Sequence, residues 1–511
     1  MSPRRQPHRS PAPRSQPKEH GGEMNAAEGA ATGLIPPEEA GRGAEARVGW
    51  RHKLAFGIGG ITDMVGFHGP VTLVNPIFNI TLGLSPTLIG LAKAICRVWD
   101  AVTDPAMGTI SDRSTSRHGR RRPFIVIGAL AMGIAFFALF VVPRGIGSGA
   151  LFAYLTAMLL LFYSAFTVFT VPYHALGYEL ATSYDDRTRV MAWRLAFNMV
   201  GNTIVSWLFT ATQLPIFDST MEGVYYVGAA TGVLIVACGI VPGLLVPEKR
   251  PLAPRPRPAV GAELKAALRN RPFLRLVGLA LLFLTAATVS GMLADYVNFY
   301  HVYGGDLRSA AVVSSSGVTI GYVITLMSVF VWTWLGARFD KKTILIFTLL
   351  LNGVFSVSTW WLFTPAHPYW QVGYRVLTQP LLLGFWLMLQ SMIADSCEYE
   401  ELTTGGRRDA LLGAFVSFSQ KVGVSVAFVF AGLLLDLSGF RAERGAVQDE
   451  RTLLALRAAL VAVPVACMVL AVVLVRGYPL SRARMAQISR ELAERRQTAA
   501  VETGAKIRPI E

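Results

Sequence analysis

Twelve predominantly apolar stretches follow one another along most of the chain, at about 52–82, 87–111, 123–142, 150–178, 190–214, 224–246, 273–302, 309–336, 343–363, 369–396, 410–438 and 452–476. Each has room for the roughly 20 helical residues that cross the hydrocarbon core of a bilayer. A membrane β-barrel would need apolar and polar residues to alternate, and runs such as 125–142 do not alternate. The pattern predicts an all-α membrane protein with 12 transmembrane helices. Charge usage agrees: 16% of residues are charged, against about 25% in soluble domains.

The formal net charge of +15 would suggest nucleic acid as the partner of a soluble chain. Here the charges mark topology instead. Arg113, Arg117, Arg120, Arg121 and Arg122 fill the second loop, and the central loop is basic throughout. Arg338, Lys341 and Lys342 follow the eighth stretch, Arg407 and Arg408 the tenth, and Arg476, Arg482 and Arg484 the twelfth. The alternate loops are poor in Lys and Arg: 215–223 and 364–368 hold none, and 143–149 holds only Arg144. The last of them, 439–451, offsets its three arginines with three acids. Positive charge concentrates in cytoplasmic loops. The expectation is a multi-pass protein of the inner (cytoplasmic) membrane with both termini cytoplasmic, a lipid bilayer around it and no nucleic-acid partner.

Residues 247–272 form the longest interior hydrophilic stretch, rich in Pro and Arg, with six spans on either side. Two six-helix halves about a basic linker are the layout of the major facilitator fold, whose substrate site lies between the halves near the midplane. The expected organisation is a disordered cytoplasmic segment 1–51, a first half 52–246, the linker 247–272, a second half 273–476, and a cytoplasmic tail 477–511. The tail from 485 onward is expected to be disordered or surface-lying. Residues 1–47 contain no apolar core of 7–15 residues, so no signal peptide is expected. The halves also resemble each other. Gly177-Tyr-Glu179 and Ala394-Asp395 each place an acid near the end of a span, with a basic–acidic loop after it. Cys96, Cys238, Cys397 and Cys467 fit neither a zinc site nor a disulfide framework and read as buried free thiols.

The chemistry concentrates in Arg97-Val-Trp-Asp100-Ala-Val-Thr103-Asp104-Pro105. Asp100 and Asp104 are four apart, so on a helix they share a face at about 5–6 Å. Each carboxylate inside a membrane costs a few kcal/mol, so the two must be paired, hydrated or neutralised. Their oxygens, with the Thr103 hydroxyl, suit a hard monovalent cation or a proton shared between close carboxylates. The alternative is a static clamp in which Arg97 neutralises the pair. Lys421 reads as the one lysine deep in a span, and a buried lysine seeks a carboxylate, which the Asp100–Asp104 pair would supply. Asp63 is a third membrane acid. Arg194, near the start of the fifth span, either meets a polar solute or is an ordinary helix-end arginine. Asp295 either lines the cavity or caps an interrupted seventh helix, and His174 is either packed or functional.

These residues resemble the glycoside–pentoside–hexuronide:cation symporter family of the major facilitator superfamily. The resemblance rests on Arg97-Val-Trp-Asp-Ala-Val-Thr-Asp-Pro-Ala-Met-Gly108, on Ser111-Asp-Arg113 with Gly119-Arg-Arg-Arg-Pro123, and on Val171-Pro-Tyr-His-Ala-Leu-Gly177. The segment from Asp186 to Arg194 and Lys421 with Gly423 extend it over about 53–476. It implies alternating access, with Na⁺ or H⁺ driving uptake of a sugar or glycoside and no further cofactor. By analogy with melibiose-permease-like members, the cation site comprises Asp100, Asp104, Thr103 and Thr167, with Lys421 and Arg97 as coupling elements. The solute site comprises Asp63, Thr170, His174 and Arg194. Here the chain departs from the pattern: Met64 and Thr170 stand where the relatives' substrate carboxylates lie, and His174 replaces a stacking tryptophan. Galactosides are therefore disfavoured. A lysolipid-like or other amphiphilic solute is the alternative, since lysophospholipid symporters keep the aspartates and the lysine.

Two rival classes are weaker. A membrane enzyme would need a nucleophile–base pair or metal ligands, and the eight histidines form no His-x-x-x-His or Glu-x-x-His cluster. A non-transporting sensor would have no need of both carboxylates and Lys421. A monomer that binds a small-molecule solute is expected.

Overall fold

The computed structural model describes residues 48–181, 184–248, 270–404, 409–445 and 448–502. These fold into twelve long helices and a tail helix, with no strand among the described residues. The first half comprises α1 (Trp50–Val74), α2 (Pro86–Arg113), α3 (Arg122–Leu139), α4 (Ser148–Leu180), α5 (Tyr184–Thr212) and α6 (Thr220–Leu245). The second comprises α7 (Arg271–Tyr296), α8 (Leu307–Arg338), α9 (Lys341–Leu362), α10 (Trp370–Thr404), α11 (Asp409–Leu437) and α12 (Glu450–Arg476). Among the described residues, nine helices are apolar enough to cross a membrane by length and composition. The other three long ones, α1, α2 and α5, are those that carry Asp63, the α2 charges and Arg194.

Local sequence explains the starts and stops. Proline opens α2, α3 and α7, where its missing N–H costs nothing. The side chains of Ser219, Asn270, Asp306 and Asp340 accept from backbone N–H groups at the starts of α6, α7, α8 and α9. α1 and α7 each run on into a π-helical turn, Asn75–Thr81 and Val297–Val302. The repetition marks the two halves as structural equivalents.

Successive helices alternate in direction, so the bundle has a terminal end, where Trp50, Arg113, Arg338 and Arg476 lie, and a far end with the loops 82–85 and 438–449. The halves meet through α2 against α11 and α5 against α8. At the far end Tyr296 donates to Asn79 Oδ1 (2.6 Å), and Asp436 accepts from Ser85 Oγ (2.7 Å) and Thr87 N (3.0 Å). Gly90 and Gly432 permit the close approach: a Cβ at either would strike the backbone carbonyl of Phe428 or Pro86. Along α5 and α8, Thr210 lies 2.8 Å from Ser315, and Trp207 Nε1 donates to Thr319 at 2.9 Å. One apolar core runs through the first half and crosses into the second at this far end. The other core belongs wholly to the second half, from Phe273 to Leu492. The seam is thus closed at the far end, and the cores part toward the terminal end.

The tail is described as far as 502. Arg482–Glu502 forms helix α13, which lies on the surface of the second half and buries Ile488 and Leu492. Arg495 donates to Leu402 O at 2.8 Å and Ser489 to Glu398 at 3.1 Å. Residues 1–47, most of the linker (249–269), Arg407, Arg408 and the last residues from 503 lie outside the described residues. The cysteines are free; Cys96 and Cys397 are buried, while Cys238 and Cys467 are only partly so.

Candidate functional site

Helical spacing puts Lys93, Arg97, Asp100 and Asp104 along one side of α2. The two carboxylates are treated differently. Asp100 is 3% exposed, and its Oδ2 accepts from Arg97 Nη1 at 3.0 Å. Arg97 lies between the rings of Phe67 (4.5 Å) and Tyr163 (4.6 Å), whose π faces attract the guanidinium, and its Nη2 donates to Tyr163 Oη at 3.3 Å. So the clamp exists, but it holds one carboxylate only. Asp100 Oδ1 is buried with no hydrogen-bond partner among the described residues.

Asp104 faces the seam between the halves. Thr167 Oγ1 donates to its Oδ1 at 2.8 Å, and Lys421 Nζ of α11 sits on its Oδ2. Lys421 also reaches Asp100 O at 3.4 Å. Thr103 Oγ1 is spent on Trp99 O (3.1 Å) and lies 3.5 Å from Thr167 Oγ1. The Asp104 and Lys421 side chains are 31% and 27% exposed, which leaves the pair open to exchange with solution. Carboxylate, hydroxyl and carbonyl oxygens surround the ammonium, a donor set that also fits a hard monovalent cation.

One turn along α4 from Thr167, a second cluster brings Asp63, Thr170, His174 and Arg194 together. Asp63, 2% exposed, accepts from Thr170 Oγ1 (2.7 Å) and from Arg194 Nη2 (3.1 Å). His174 Nε2 lies 2.9 Å from Asp63 Oδ2 and 2.6 Å from Arg194 Nη2. A single ring nitrogen either accepts from Arg194 or donates to Asp63. Arg194 lies in the third turn of α5, over the Tyr173 ring. The position of Asp63 inside this cluster means that its charge is met from within the first half.

Asp295 neither caps nor interrupts α7: its Oδ1 accepts from Arg375 of α10 at 2.9 Å. Ion pairs gather toward the terminal end, among them Lys53–Asp186 (2.8 Å). In the first half Arg120 and Arg121 bind Glu179 (2.8 and 2.9 Å), Arg121 binds Asp112 (3.0 Å), and the Arg121 N–H donates to Glu248. In the second half, among the described residues, Lys341 pairs with Asp395 (2.8 Å).

Sequence reasoning missed Lys93 and Arg375. Lys421 is not the one deep lysine: Lys93 is 4% exposed, donates to Asn75 Oδ1 at 2.8 Å, and lies over the Phe428 ring of the other half. It stands near the start of its helix, where a lysine is read as reaching water. The signal was its four-residue spacing from Arg97.

The model of the MFS/sugar transport protein family matches residues 55–482. The chain belongs to that family. An Escherichia coli protein named for glycoside/cation symport is 26% identical to this transporter over 87% of this chain and 95% of its own. The sodium-dependent lysophosphatidylcholine symporter 1-A of Danio rerio is 25% identical over 86% and 87%. Among solved structures, a bacterial homolog of the human lysosomal transporter Spinster, inward-facing and unoccupied, aligns with a TM-score of 0.61 at 14% identity, covering 88% of this chain and 98% of its own. The D-xylose-proton symporter aligns at 0.53 and 15% identity, covering 84% and 98%. These likenesses show the major facilitator fold. The protein is a multi-pass membrane transporter with the fold of glycoside–pentoside–hexuronide-type symporters, not an enzyme.

Proposed function

We propose that this transporter couples Na⁺ or H⁺ to the uptake of a small organic solute, a sugar or glycoside, by alternating access in the inner membrane. The observation that carries the reading is the Asp104–Lys421 pair, which joins the halves at mid-depth. A cation or proton on Asp104 takes over the role of the ammonium and frees the two halves to rearrange; Lys421 takes the carboxylate back when the carrier is empty. Asp100 stays neutralised by Arg97, with its free Oδ1 available to the incoming cation. The Asp63, Thr170, His174 and Arg194 cluster is the first-half part of the solute site. With the terminal end cytoplasmic, the described conformation is closed outward and parted inward.

The test is flux in proteoliposomes. Asp104→Asn removes one charge and keeps the shape, so it should abolish cation-driven accumulation while passive exchange persists. Accumulation equal to wild type would end the reading. Orientation is tested separately in sealed cells: thiol reagents added outside should label cysteines placed at Gly147 and Ser219 and spare those at Arg120 and Pro256.

A lysolipid is the second reading, supported by the 25% identical lysophosphatidylcholine symporter. Competition between a sugar panel and lysophosphatidylcholine decides between them.

A further inference from the structure

On the outside of the second half, α9 and α12 leave a groove of about 610 Å³ between them. That is the size of a small-molecule site, about 300–1,000 Å³. From Leu349 to Trp361 it follows a little over three turns of α9, about 18 Å. Gly353 leaves its floor bare: a Cβ there would meet only Met468 Cβ, at 3.9 Å. The groove faces outward, since Val354 and Val473 in its walls are each 61% exposed. α9 and α12 pack on second-half helices, and the seam is made by α2 with α11 and α5 with α8. The groove therefore lies off the path of the transported solute.

In a bilayer such a groove is filled from the lipid. Its wall is apolar between Trp361 at one end and Arg476 at the other. The one hydroxyl on the way, that of Ser358, is spent on Phe355 O (2.8 Å). The body of the occupant is therefore hydrocarbon, and the length suits one acyl chain, since each leaflet's hydrocarbon is about 15 Å deep.

The terminal end supplies the charge. The Arg476 guanidinium bonds to no described residue. Lys342 Nζ bonds only backbone oxygens there, Arg476 O (2.8 Å) and Tyr478 O (3.0 Å). Arg275 of α7 lies against Gly477, its Cζ 3.4 Å from where a Cβ would stand. None of the three pairs with a carboxylate among the described residues. Asp340 has its oxygens on the backbone N–H groups of Lys342 and Arg482. A helix C-terminus attracts cations, which accounts for Lys342 and Arg275 at the end of α12 but leaves the exposed charge of Arg476 unanswered. A phosphate placed there gains charge-assisted hydrogen bonds, and anionic lipids are drawn to basic residues at a membrane surface. A zwitterionic head would bring a further ammonium to a place that already holds three cations.

We propose that the α9–α12 groove binds an anionic glycerophospholipid from the leaflet at the terminal end, with one acyl chain along the groove and the headgroup phosphate at Arg476. The site is independent of which solute or cation the transporter carries.

The test is thermal melting of the delipidated full-length protein in a neutral detergent, without sugar or Na⁺, titrated with dioleoylphosphatidylglycerol or dioleoylphosphatidylcholine. The chains are the same, so only the heads differ. Phosphatidylglycerol should reach its half-maximal rise at about tenfold lower concentration, the worth of one charge-assisted hydrogen bond. Arg476→Gln should erase that preference, and Gly353→Leu, which fills the groove, should weaken phosphatidylglycerol by a similar factor. Arg484→Gln removes the same charge from an exposed position on α13 and should change neither midpoint. Wild-type midpoints within twofold of each other overturn the site, as does phosphatidylglycerol binding unmoved by Gly353→Leu. A loss of preference as large in Arg484→Gln as in Arg476→Gln makes the effect one of overall charge and also overturns it. Glycerol 3-phosphate, a head without a chain, should not displace phosphatidylglycerol at equal concentration; if it does, the groove plays no part. A cysteine at Val354 that cross-links to a second copy in native membranes would make the groove a subunit contact and end the proposal. Should Gly353→Leu melt early without lipid, Val473→Trp fills the groove from its other wall under the same criterion.

Discussion

The two halves share a fold but divide the charge between them unequally. The first buries Asp63, Lys93, Arg97 and Asp100 and meets most of that charge internally, through Arg194, the Asn75 amide and the Arg97–Asp100 clamp. Among the described residues the second brings Lys421 to the seam and holds the partly open pair Arg375–Asp295. At the terminal end, among the described residues, the first half holds Arg120 and Arg121 with Asp112, Glu179 and Glu248, and Lys53 with Asp186, while the second holds Lys341–Asp395. A buried, internally neutralised charge is costly to move, whereas a half-exposed pair across a seam can exchange partners. In the proposed cycle the first half is the fixed binding body and the second carries the replaceable counter-ion.

The largest expected effect is on that counter-ion. Lys421→Ala leaves Asp104 held by Thr167 alone, so the empty carrier should not return and net accumulation should fall to the passive level. Exchange of labelled solute should persist, which separates Lys421→Ala from simple misfolding. If Lys421→Ala and Asp104→Asn both concentrate solute like wild type, the contrast between the halves has no functional meaning.

Next comes stability. Arg97→Met strips the partner from an Asp100 that is 4% exposed at its side chain and should cost about 3–5 kcal/mol, as for other broken buried pairs. Arg375→Met leaves Asp295, 46% exposed, able to reach water, and should cost about 1 kcal/mol or less. Urea or thermal melting of the two variants in the same detergent measures the difference. Equal costs would show the halves to be equally rigid.

A smaller difference is expected at the terminal end. Glu179→Gln leaves Arg120 and Arg121 sharing fewer acceptors, at about 1–2 kcal/mol. Asp395→Asn frees one partly exposed lysine, at under 1 kcal/mol. Melting curves test the order, and a reversal would make Lys341–Asp395 the stronger tie.

Much of this was legible in the residues because membrane physics leaves few choices. Twelve apolar stretches become helices whose ends mostly fall within a few residues of expectation; α5 and α10 run further, since their charged ends lie beyond the apolar core. The meeting of Lys421 with the α2 carboxylates follows from charge balance alone. The position of Arg97 three residues before Asp100 made a clamp foreseeable, but whether it held one acid or both depended on which acid faced the other half. Contacts without a charge argument were not legible. Asp436 of α11 closing over Ser85, the π-turns, and the docking of a basic tail helix through Ile488 and Leu492 join residues far apart in sequence by shape rather than charge. Arg375 was hidden for a related reason. Its partner Asp295 lies on α7, and only the packing of α7 beside α10 brings the two together.

The smallest signal expected is the thermal response to melibiose. The family resemblance puts the substrate carboxylates of melibiose-permease-like relatives at Met64 and Thr170, neither of which carries charge. The remaining acid, Asp63, accepts from Thr170 and Arg194 and faces His174, so most of its acceptor sites are already taken. A sugar hydroxyl approaching this wall would have to displace a charge-assisted bond, and such bonds are worth about 1.5–3 kcal/mol each. Lost acceptors of that size correspond to roughly tenfold to a hundredfold in affinity apiece. Melibiose at millimolar concentration should then leave the melting temperature unmoved, with or without Na⁺. A Na⁺-enhanced rise with melibiose would mean that the first half reads galactosides without its carboxylates, and the division of labour between the halves would need to be redrawn.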